Sequence, residues 1–166
     1  MRSLGIDPGT ATMGWGVVEE DGEGGLRLVG YGALTTPKQE PLARRLQMLY
    51  DGLCSVIATH RPDTAGVEEL FFSKNVTTAI SVSHARGVAM LALANAGLAV
   101  HEYRPMAVKL AITGYGHADK AQIQEMVRIQ LGLDGIPRPD DAADALAIAI
   151  CHFYTAPVLG RFQAED

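Results

Sequence analysis

Residues 4–19 read LGIDPGTATMGWGVVE, and this stretch decides the fold of the chain. Apolar residues alternate with glycine up to Asp7, and Pro8-Gly9-Thr10 must then turn the chain. The same alternation returns over residues 13–19, so the stretch predicts two strands joined by a tight turn. Further glycines make a second turn before a third strand at residues 26–34. Three consecutive strands with tight turns predict an antiparallel meander.

Helices and strands alternate after the meander. Leucines and other apolar residues recur at steps of three and four over residues 41–60, which is typical of one face of a helix. We predict further strands at residues 64–67 and 99–103. We predict further helices from Asn75 or Thr77 to about residue 96, as one turn led by Pro105, and at residues 120–131 and 141–154. Because parallel strands need helical crossovers, the α/β fold class follows: a mixed five-stranded sheet of meander and parallel strands, flanked by helices.

Composition and charge limit the function classes. The chain has 166 residues, of which 48% are hydrophobic and 20% charged, which is typical of one globular domain. We expect a single domain at residues 1–156 and a loose C-terminal tail at residues 157–166. The longest apolar run, residues 87–100, is shorter than the roughly 20 residues that cross a bilayer. Charged Asp7 comes too early for a secretory signal, so we expect a cytoplasmic protein without a membrane partner.

Carboxylates end two predicted strands and open one predicted helix. Asp7 ends the first strand and Glu68 the fourth, while Asp141 and Asp144 share one face of the last helix. Because a mixed sheet can bring these three ends together, we expect the four side chains to meet. Glu69 must point to the opposite side of its strand from Glu68. Each carboxylate also has a simpler explanation, as a turn former, a solvated strand end or a helix cap.

This carboxylate cluster predicts a metal site. Clustered carboxylates are costly at neutral pH unless protons or metal ions offset their repulsion. The cluster offers oxygen ligands only, which favours Mg²⁺, with Mn²⁺ as a substitute, over zinc. Two such ions about 4 Å apart are a common arrangement for phosphodiester hydrolysis. Asp140 directly precedes Asp141, so the sequence does not decide which of the two is the metal ligand.

An aromatic and basic segment follows Glu69. Phe71 and Phe72 are adjacent and cannot both be buried on one face. Such a pair most often has one ring in the core and one under a loop, and the functional alternative is a ring exposed to stack on an unpaired base. We expect Phe72 to be the buried ring and Phe71 the stacking one. Lys74 follows as a phosphate contact. The whole chain has a net charge of −5, but residues 71–128 hold six Lys or Arg against three Asp or Glu. A nucleic acid would therefore contact a local patch.

Five segments together resemble the RuvC family of bacterial Holliday-junction endonucleases. They are LGIDPGT at residues 4–10, VEELF with Lys74-Asn75 at residues 67–75, ARGVA at residues 85–89, Val108-Lys109, and DAADALAIA at residues 141–149. The resemblance covers nearly the whole chain, in order. It implies a ribonuclease-H-like fold, a homodimer, and paired metal-dependent nicks across four-way junction DNA in recombination and repair.

The same resemblance implies roles for individual residues. The catalytic and metal-binding carboxylates would be Asp7, Glu68, Asp141 and Asp144, holding two Mg²⁺ ions. Glu69 stands where the family usually has glutamine, which adds negative charge beside the site. The branch-migration proteins RuvA and RuvB would be partners. The residues that would contact DNA are Phe71, Lys74, Arg86, Lys109 and Lys120.

Two other function classes stay open at the level of sequence. An ATP-using sugar kinase or actin-like protein also carries Asp-x-Gly-Thr after a strand, but that fold needs two such lobes. A junction-binding module without catalysis would use the carboxylates only as caps and turns. For a dimer, the apolar helix around Val88, Leu91 and Leu93 is a candidate interface, although burial against its own sheet explains most of that helix.

Overall fold

The computed structural model describes residues 1–69 and 76–163, and side chains within 76–78 and 157–163 are left out of the description. The described chain forms one five-stranded sheet with five helices. The strands are β1 (Arg2–Asp7), β2 (Thr12–Glu20), β3 (Leu26–Thr35), β4 (Thr64–Glu68) and β5 (Ala99–Tyr103). The helices are α1 (Leu42–His60), α2 (Val76–Asn95), α3 (Pro105–Thr113), α4 (Lys120–Gln130) and α5 (Asp140–Gln163).

The sheet combines the predicted meander with two parallel strands, in the order β3-β2-β1-β4-β5. Strands β1, β2 and β3 pair antiparallel, and β4 pairs parallel with both β1 and β5. The carboxyl ends of β1, β3, β4 and β5 therefore lie along one edge of the sheet, which we call the carboxyl edge. This topology confirms the mixed five-stranded sheet predicted from the sequence.

Two hydrophobic clusters cover the two faces of the sheet. Leu4 and Ile6 of β1 pack on one face with α1 and α2, where Leu49 and Leu53 are fully buried. The other face packs against α3, α4 and α5, where Leu146 is fully buried. The apolar spacing that predicted α1 reflects this burial, because one stripe of the helix faces the sheet.

Three expectations about helices need comment. The glycine after α2 ends that helix as predicted, since Gly97 has a φ of 72°. The expected single turn at Pro105 is a nine-residue helix, α3. The backbone of α5 stays helical to Gln163, past Pro157, where the sequence suggested a loose tail. Proline removes one helical hydrogen bond without necessarily ending the helix. None of the described helices is long and apolar enough to cross a membrane.

Candidate active site

The two-residue period of the strands directs Asp7 and Glu68 to the same face of the sheet. In β1, Leu4 and Ile6 face α1 and α2, so Gly5 and Asp7 face α5. Strand β4 runs parallel to β1 with Ile6 opposite Val67, so Glu68 ends β4 beside the end of β1. The two carboxylates therefore end neighbouring strands at the carboxyl edge, on the α5 side.

Glycines in β1 and β2 let the backbone of α5 come close to the sheet. A Cβ atom on Gly5 would lie 2.1 Å from the carbonyl oxygen of Ala145, and one on Gly14 would lie 1.9 Å from that of Asp141. Gly14 is also the ladder partner of Asp7. The first turns of α5, which carry Asp141 and Asp144, are thus held directly over Asp7. No sequence pattern revealed this close approach.

Burial and like charge raise the pKa of three of these carboxyl groups. The pKa of Asp7 rises from 3.8 to about 8, first because burial disfavours its charged form and then because Glu68, Asp144 and Asp141 repel it. Burial, followed by the charge of Asp144, raises the pKa of Glu68. Burial also raises the pKa of Asp144, although the Lys120 ammonium opposes the shift. The charges of Glu68, Asp141 and Asp144 therefore all act on Asp7.

Lys120 supplies positive charge at one side of the cluster. Its Nζ atom lies 3.1 Å from Asp144 Oδ2 and 3.3 Å from Asp140 Oδ2. Asp140 also pairs with Arg138 and accepts a hydrogen bond from Gln124 at 3.3 Å. The hydrogen bond from Lys120 is the largest of several effects that lower the pKa of Asp140. Asp140 is thus neutralised by cations, whereas Asp141 adds its charge to the field at Asp7.

A cleft of about 190 Å³ opens beside these carboxylates. Glu68 and Asp144 line it on the side of the sheet and α5, and Lys109 and Lys120 line it from α3 and α4. Lys109 has no carboxylate partner among the described residues. The cleft therefore places two lysines opposite two of the clustered carboxylates, which suits a phosphate group that approaches both.

Hydrogen bonds fix the turn that follows Asp7. Thr10 Oγ1 donates to the carbonyl oxygen of Ser81 at 2.6 Å, and Thr36 Oγ1 donates to the carbonyl oxygen of Thr10 at 2.7 Å. Arg45 Nε in turn donates to Thr36 Oγ1 at 2.8 Å. A Cβ atom on Gly9 would lie 2.2 Å from the carbonyl oxygen of Thr12, so the turn requires glycine there. The turn is thereby tied to α1, to α2 and to Thr36, the residue after β3.

A buried polar chain joins α5 to the strands behind Glu68. The fully buried ring of His152 contacts Thr64 Oγ1 through Nε2 and Tyr103 Oη through Nδ1, each at 2.8 Å. Tyr103 is the ladder partner of Glu68, and its hydroxyl also contacts Thr155 Oγ1 at 2.8 Å. Sequence reasoning missed this chain, because its members are between 3 and 91 positions apart along the sequence.

Comparisons with known proteins show which family this chain belongs to. The model of the RuvC family, named crossover junction endodeoxyribonuclease RuvC, matches residues 3–152. The crossover junction endodeoxyribonuclease RuvC of Chloroflexus aggregans is 69% identical over 162 residues, which cover 98% of each protein. This chain belongs to the RuvC family. The relative from Roseiflexus, also named RuvC, is 58% identical over 98% of this chain and 96% of its own length.

Solved structures give the same result for the fold. Thermus thermophilus RuvC in complex with Holliday junction substrate superposes with a TM-score of 0.89 and 40% identity, covering 95% of this chain and 96% of that one. The yeast mitochondrial Holliday junction resolvase Ydc2 shares the fold, with a TM-score of 0.63 at 13% identity over 96% of this chain and 85% of its own. The ribonuclease-H-like fold expected for the RuvC family is therefore confirmed.

The residues expected to contact DNA fall into three groups. Lys109 and Lys120 lie in the cleft beside the carboxylates. Arg86 lies elsewhere, since it pairs with Glu102 of β5 and its side chain is mostly buried against that strand. Phe71 and Lys74, with the expected buried partner Phe72, lie outside the residues that the structure describes.

Two expectations about neighbouring acids can also be compared with the structure. Glu69 is paired with Arg104, whose Nε donates to Glu69 Oε2 at 3.0 Å, and Glu69 is not among the charges that act on Asp7. Within residues 1–69 and 76–163, no three His, Cys, Asp or Glu side chains already surround one ion position. The four carboxylates thus lie near one another without forming a ready-made ion site among the described residues.

Proposed function

We propose that this member of the RuvC family is a crossover junction endodeoxyribonuclease that resolves four-way DNA junctions by paired phosphodiester hydrolysis during homologous recombination and repair. The observation that carries the proposal is the cluster of four carboxylates held at one sheet edge by β1, β4 and α5. A chain used only for binding has no need to bury like charges together, since their repulsion destabilises the fold. Membership of the RuvC family over nearly the whole chain supports the same activity.

The donor chemistry of the cluster suits divalent metal ions. Its ligands would be Asp7, Glu68, Asp141 and Asp144, all oxygen donors of the kind that Mg²⁺ and Mn²⁺ prefer. Burial, and then the charges of Glu68, Asp144 and Asp141, raise the pKa of Asp7, and two divalent ions would offset those charges. When bound, such ions activate water and stabilise the leaving oxygen in phosphodiester hydrolysis. Mg²⁺ is the ion we propose, with Mn²⁺ as a substitute.

Each side chain then has a distinct task. Asp7 is central, because Glu68, Asp141 and Asp144 all act on its charge. Asp141, rather than Asp140, completes the set, since Asp140 is already engaged by Lys120 and Arg138. Lys109 holds a phosphate of the strand to be cut, which adds affinity and salt dependence but little sequence selectivity, while Lys120 neutralises Asp144 and Asp140. Phe71 would stack on an unpaired base at the junction centre.

Paired nicks on a four-way junction call for two equivalent active sites, so we propose a homodimer. The expected interface around Val88, Leu91 and Leu93 needs revision, because Leu93 is fully buried and Val88 packs on the same core. Leu91 is instead 55% exposed. The exposed face of α2 that we propose as the interface comprises Ile80, His84, Gly87, Leu91 and Ala94, at helical steps of four and three.

Partners and location follow from family membership alone. We propose that RuvA and RuvB, the branch-migration proteins, position the junction for this enzyme. All of these proteins would then act on DNA in the cytoplasm. Co-purification of tagged RuvA and RuvB with the enzyme on a preassembled junction tests the partnership directly.

The activity is tested with a labelled four-way junction and a linear duplex of the same sequence. We expect nicks at symmetric positions in two opposing strands of the junction, no comparable cutting of the duplex, and dependence of cutting on added Mg²⁺. Binding of the junction without any nicking in Mg²⁺ or Mn²⁺ would support the alternative of a binding module. Equal cutting of junction and duplex would contradict the proposed selectivity.

A further inference from the structure

Most cations of the described chain are neutralised by acids. Seven Lys or Arg side chains pair with carboxylates, namely Arg2, Arg27, Arg86, Arg104, Lys120, Arg128 and Arg138. Five others have no carboxylate partner among the described residues, namely Lys38, Arg44, Arg45, Arg61 and Lys109. Three of these five lie within eight positions of one another at the start of α1. We call Lys38, Arg44 and Arg45 the α1 cationic patch.

This patch lies at the carboxyl edge of the sheet. Lys38 follows the carboxyl end of β3, which lies at the same edge as the end of β1. Two strand spacings of about 4.8 Å separate β3 from β1, so the backbone of Ala33, which is level with Asp7 across β2, is about 10 Å from it. Lys109 and Lys120 line the cleft beside Glu68 and Asp144 on the α5 face of the sheet, whereas α1 packs on the opposite face. The acidic cluster therefore lies between two sets of cations.

Arg45 is held in place while its charged end is left available. Its Nε donates to Thr36 Oγ1 at 2.8 Å, and Thr36 is hydrogen-bonded to Thr10 of the turn after Asp7. Neither terminal nitrogen of Arg45 has a partner within the part of the chain that the structure describes. A guanidinium fixed at Nε with free terminal N–H groups is suited to bidentate contact with a phosphate.

Local charge favours a polyanion at this surface. Glu40 is the one acidic residue between Thr36 and Tyr50 in the sequence. The first turn of α1 contains no acid, and no side chain caps its N-terminal N–H groups, which favours anions there. DNA entering the cleft would also be repelled by the four carboxylates. Cations on only one side of that cluster would attract the DNA strand to that side. Cations on both sides would hold the DNA strand over the carboxylates.

We propose that the α1 cationic patch binds backbone phosphates of the junction DNA on the side of Asp7 opposite Lys109 and Lys120, with Arg45 as its anchor. The proposal rests on the proposed function, because it assigns a second contact surface to the same substrate. Strand β3, which leads to the patch, is about 10 Å from β1, and this spacing is within one major-groove width of about 12 Å. One arm of a junction can therefore reach both surfaces at once.

The test measures junction affinity across a salt series in EDTA, where binding is separated from cutting. The variants are Arg45→Gln, the triple variant with Lys38→Gln, Arg44→Gln and Arg45→Gln, and Arg61→Gln as a matched control. Arg61 also lacks a carboxylate partner among the described residues, but it lies after the C-terminal end of α1, away from the carboxyl edge. Thermal unfolding of each variant checks the fold.

Loss of one phosphate contact lowers the salt slope of log K by about 0.9, and loss of three lowers it by about 2.7. We expect these changes for Arg45→Gln and the triple variant, with roughly eightfold weaker binding at 0.1 M salt for the single variant. Arg61→Gln should leave both quantities unchanged. If the wild type binds the junction but Arg45→Gln and the triple variant match Arg61→Gln, the patch is not a DNA surface and the proposed function stands. If the wild type does not bind a junction, the proposed function itself is wrong.

Discussion

At the scale of single residues, the two lysines of the cleft have different electrostatic partners. Lys109 has no carboxylate partner among the described residues, whereas Lys120 contacts Asp144 and Asp140 at 3.1 and 3.3 Å. Partial burial would lower the pKa of Lys120, but its hydrogen bonds and charge contacts with Asp144 and Asp140 raise it. Lys120 is thus a fixed cation inside the acidic cluster, and Lys109 is a cation available to DNA.

Lys109→Ala and Lys120→Ala should therefore affect different steps. Lys109→Ala removes one phosphate contact, so the salt slope of junction binding should fall by about 0.9. Lys120→Ala removes a cation that competes for Asp144, so the Mg²⁺ concentration for half-maximal cutting should fall by about twofold or more. Junction binding in EDTA and Mg²⁺ titrations of cutting measure the two effects. If both variants behave identically in both assays, the assignment of DNA binding to Lys109 and of Mg²⁺ dependence to Lys120 is wrong.

At the scale of elements, the close approach of α5 to β1 and β2 positions half of the carboxylates. A Cβ atom on Gly14 would lie 1.9 Å from the backbone of Asp141, so Gly14→Ala must push the start of α5 away from Asp7. We expect a loss of about 1–3 kcal/mol in the free energy of unfolding, typical of overpacking, together with slower cutting at a temperature where the variant is folded. Gly135→Ala is the control, because a Cβ atom added there would have nothing within 4 Å. Wild-type cutting by a folded Gly14→Ala would show that the position of α5 is not critical.

The buried His152 connects α5 to the sheet and makes the stability of the fold depend on pH. Burial, followed by the charge of His101, lowers the pKa of His152 from 6.5 to about 4. The unfolded chain then binds more protons than the folded one between these values, so stability present above pH 6.5 is lost as pH falls toward 4. We expect the wild type to lose about 2 kcal/mol in the free energy of unfolding between pH 7 and pH 5 from this group.

The measurement is urea unfolding of the wild type and His152→Gln at both pH values. Glutamine keeps a donor and an acceptor but does not titrate, so the variant should lose about 2 kcal/mol less than the wild type between pH 7 and pH 5. Equal losses in the two proteins would mean that His152 is not kept neutral by the fold. If His152→Gln does not fold, Tyr103→Phe tests the same chain, because removing that hydroxyl leaves His152 Nδ1 without its partner.

At the scale of the whole molecule, the exposed face of α2 predicts the oligomeric state. Leu91→Glu places a charge in the centre of the proposed interface, so the variant should be monomeric and lose coordinated nicking of two strands. Ile129→Glu on α4 is a matched control, since Ile129 is 54% exposed and Leu91 55%. Sedimentation of both variants measures the mass. A dimeric, fully active Leu91→Glu would place the interface elsewhere.

Much of this architecture could be predicted because its signals are local. The apolar strand patterns predicted that Asp7 and Glu68 end strands, and the apolar steps of three and four predicted α1. The partners of Arg86 and Arg45 could not be predicted, because Glu102 and Thr36 reach them only through the packing of α2 on β5 and of α1 on β3. Hydrophobic patterns specify which face is buried, but they do not specify which polar atoms meet across it.

The most direct test of the metal-dependent carboxylate cluster is the single-turnover rate of junction cutting by Asp7→Asn in saturating Mg²⁺. Asparagine keeps the size of the side chain and removes the charge on which the other three carboxylates act. We predict a loss of several orders of magnitude in rate, with junction binding preserved or tighter and a melting temperature in EDTA at least as high as that of the wild type. Cutting by Asp7→Asn at close to the wild-type rate would contradict the account.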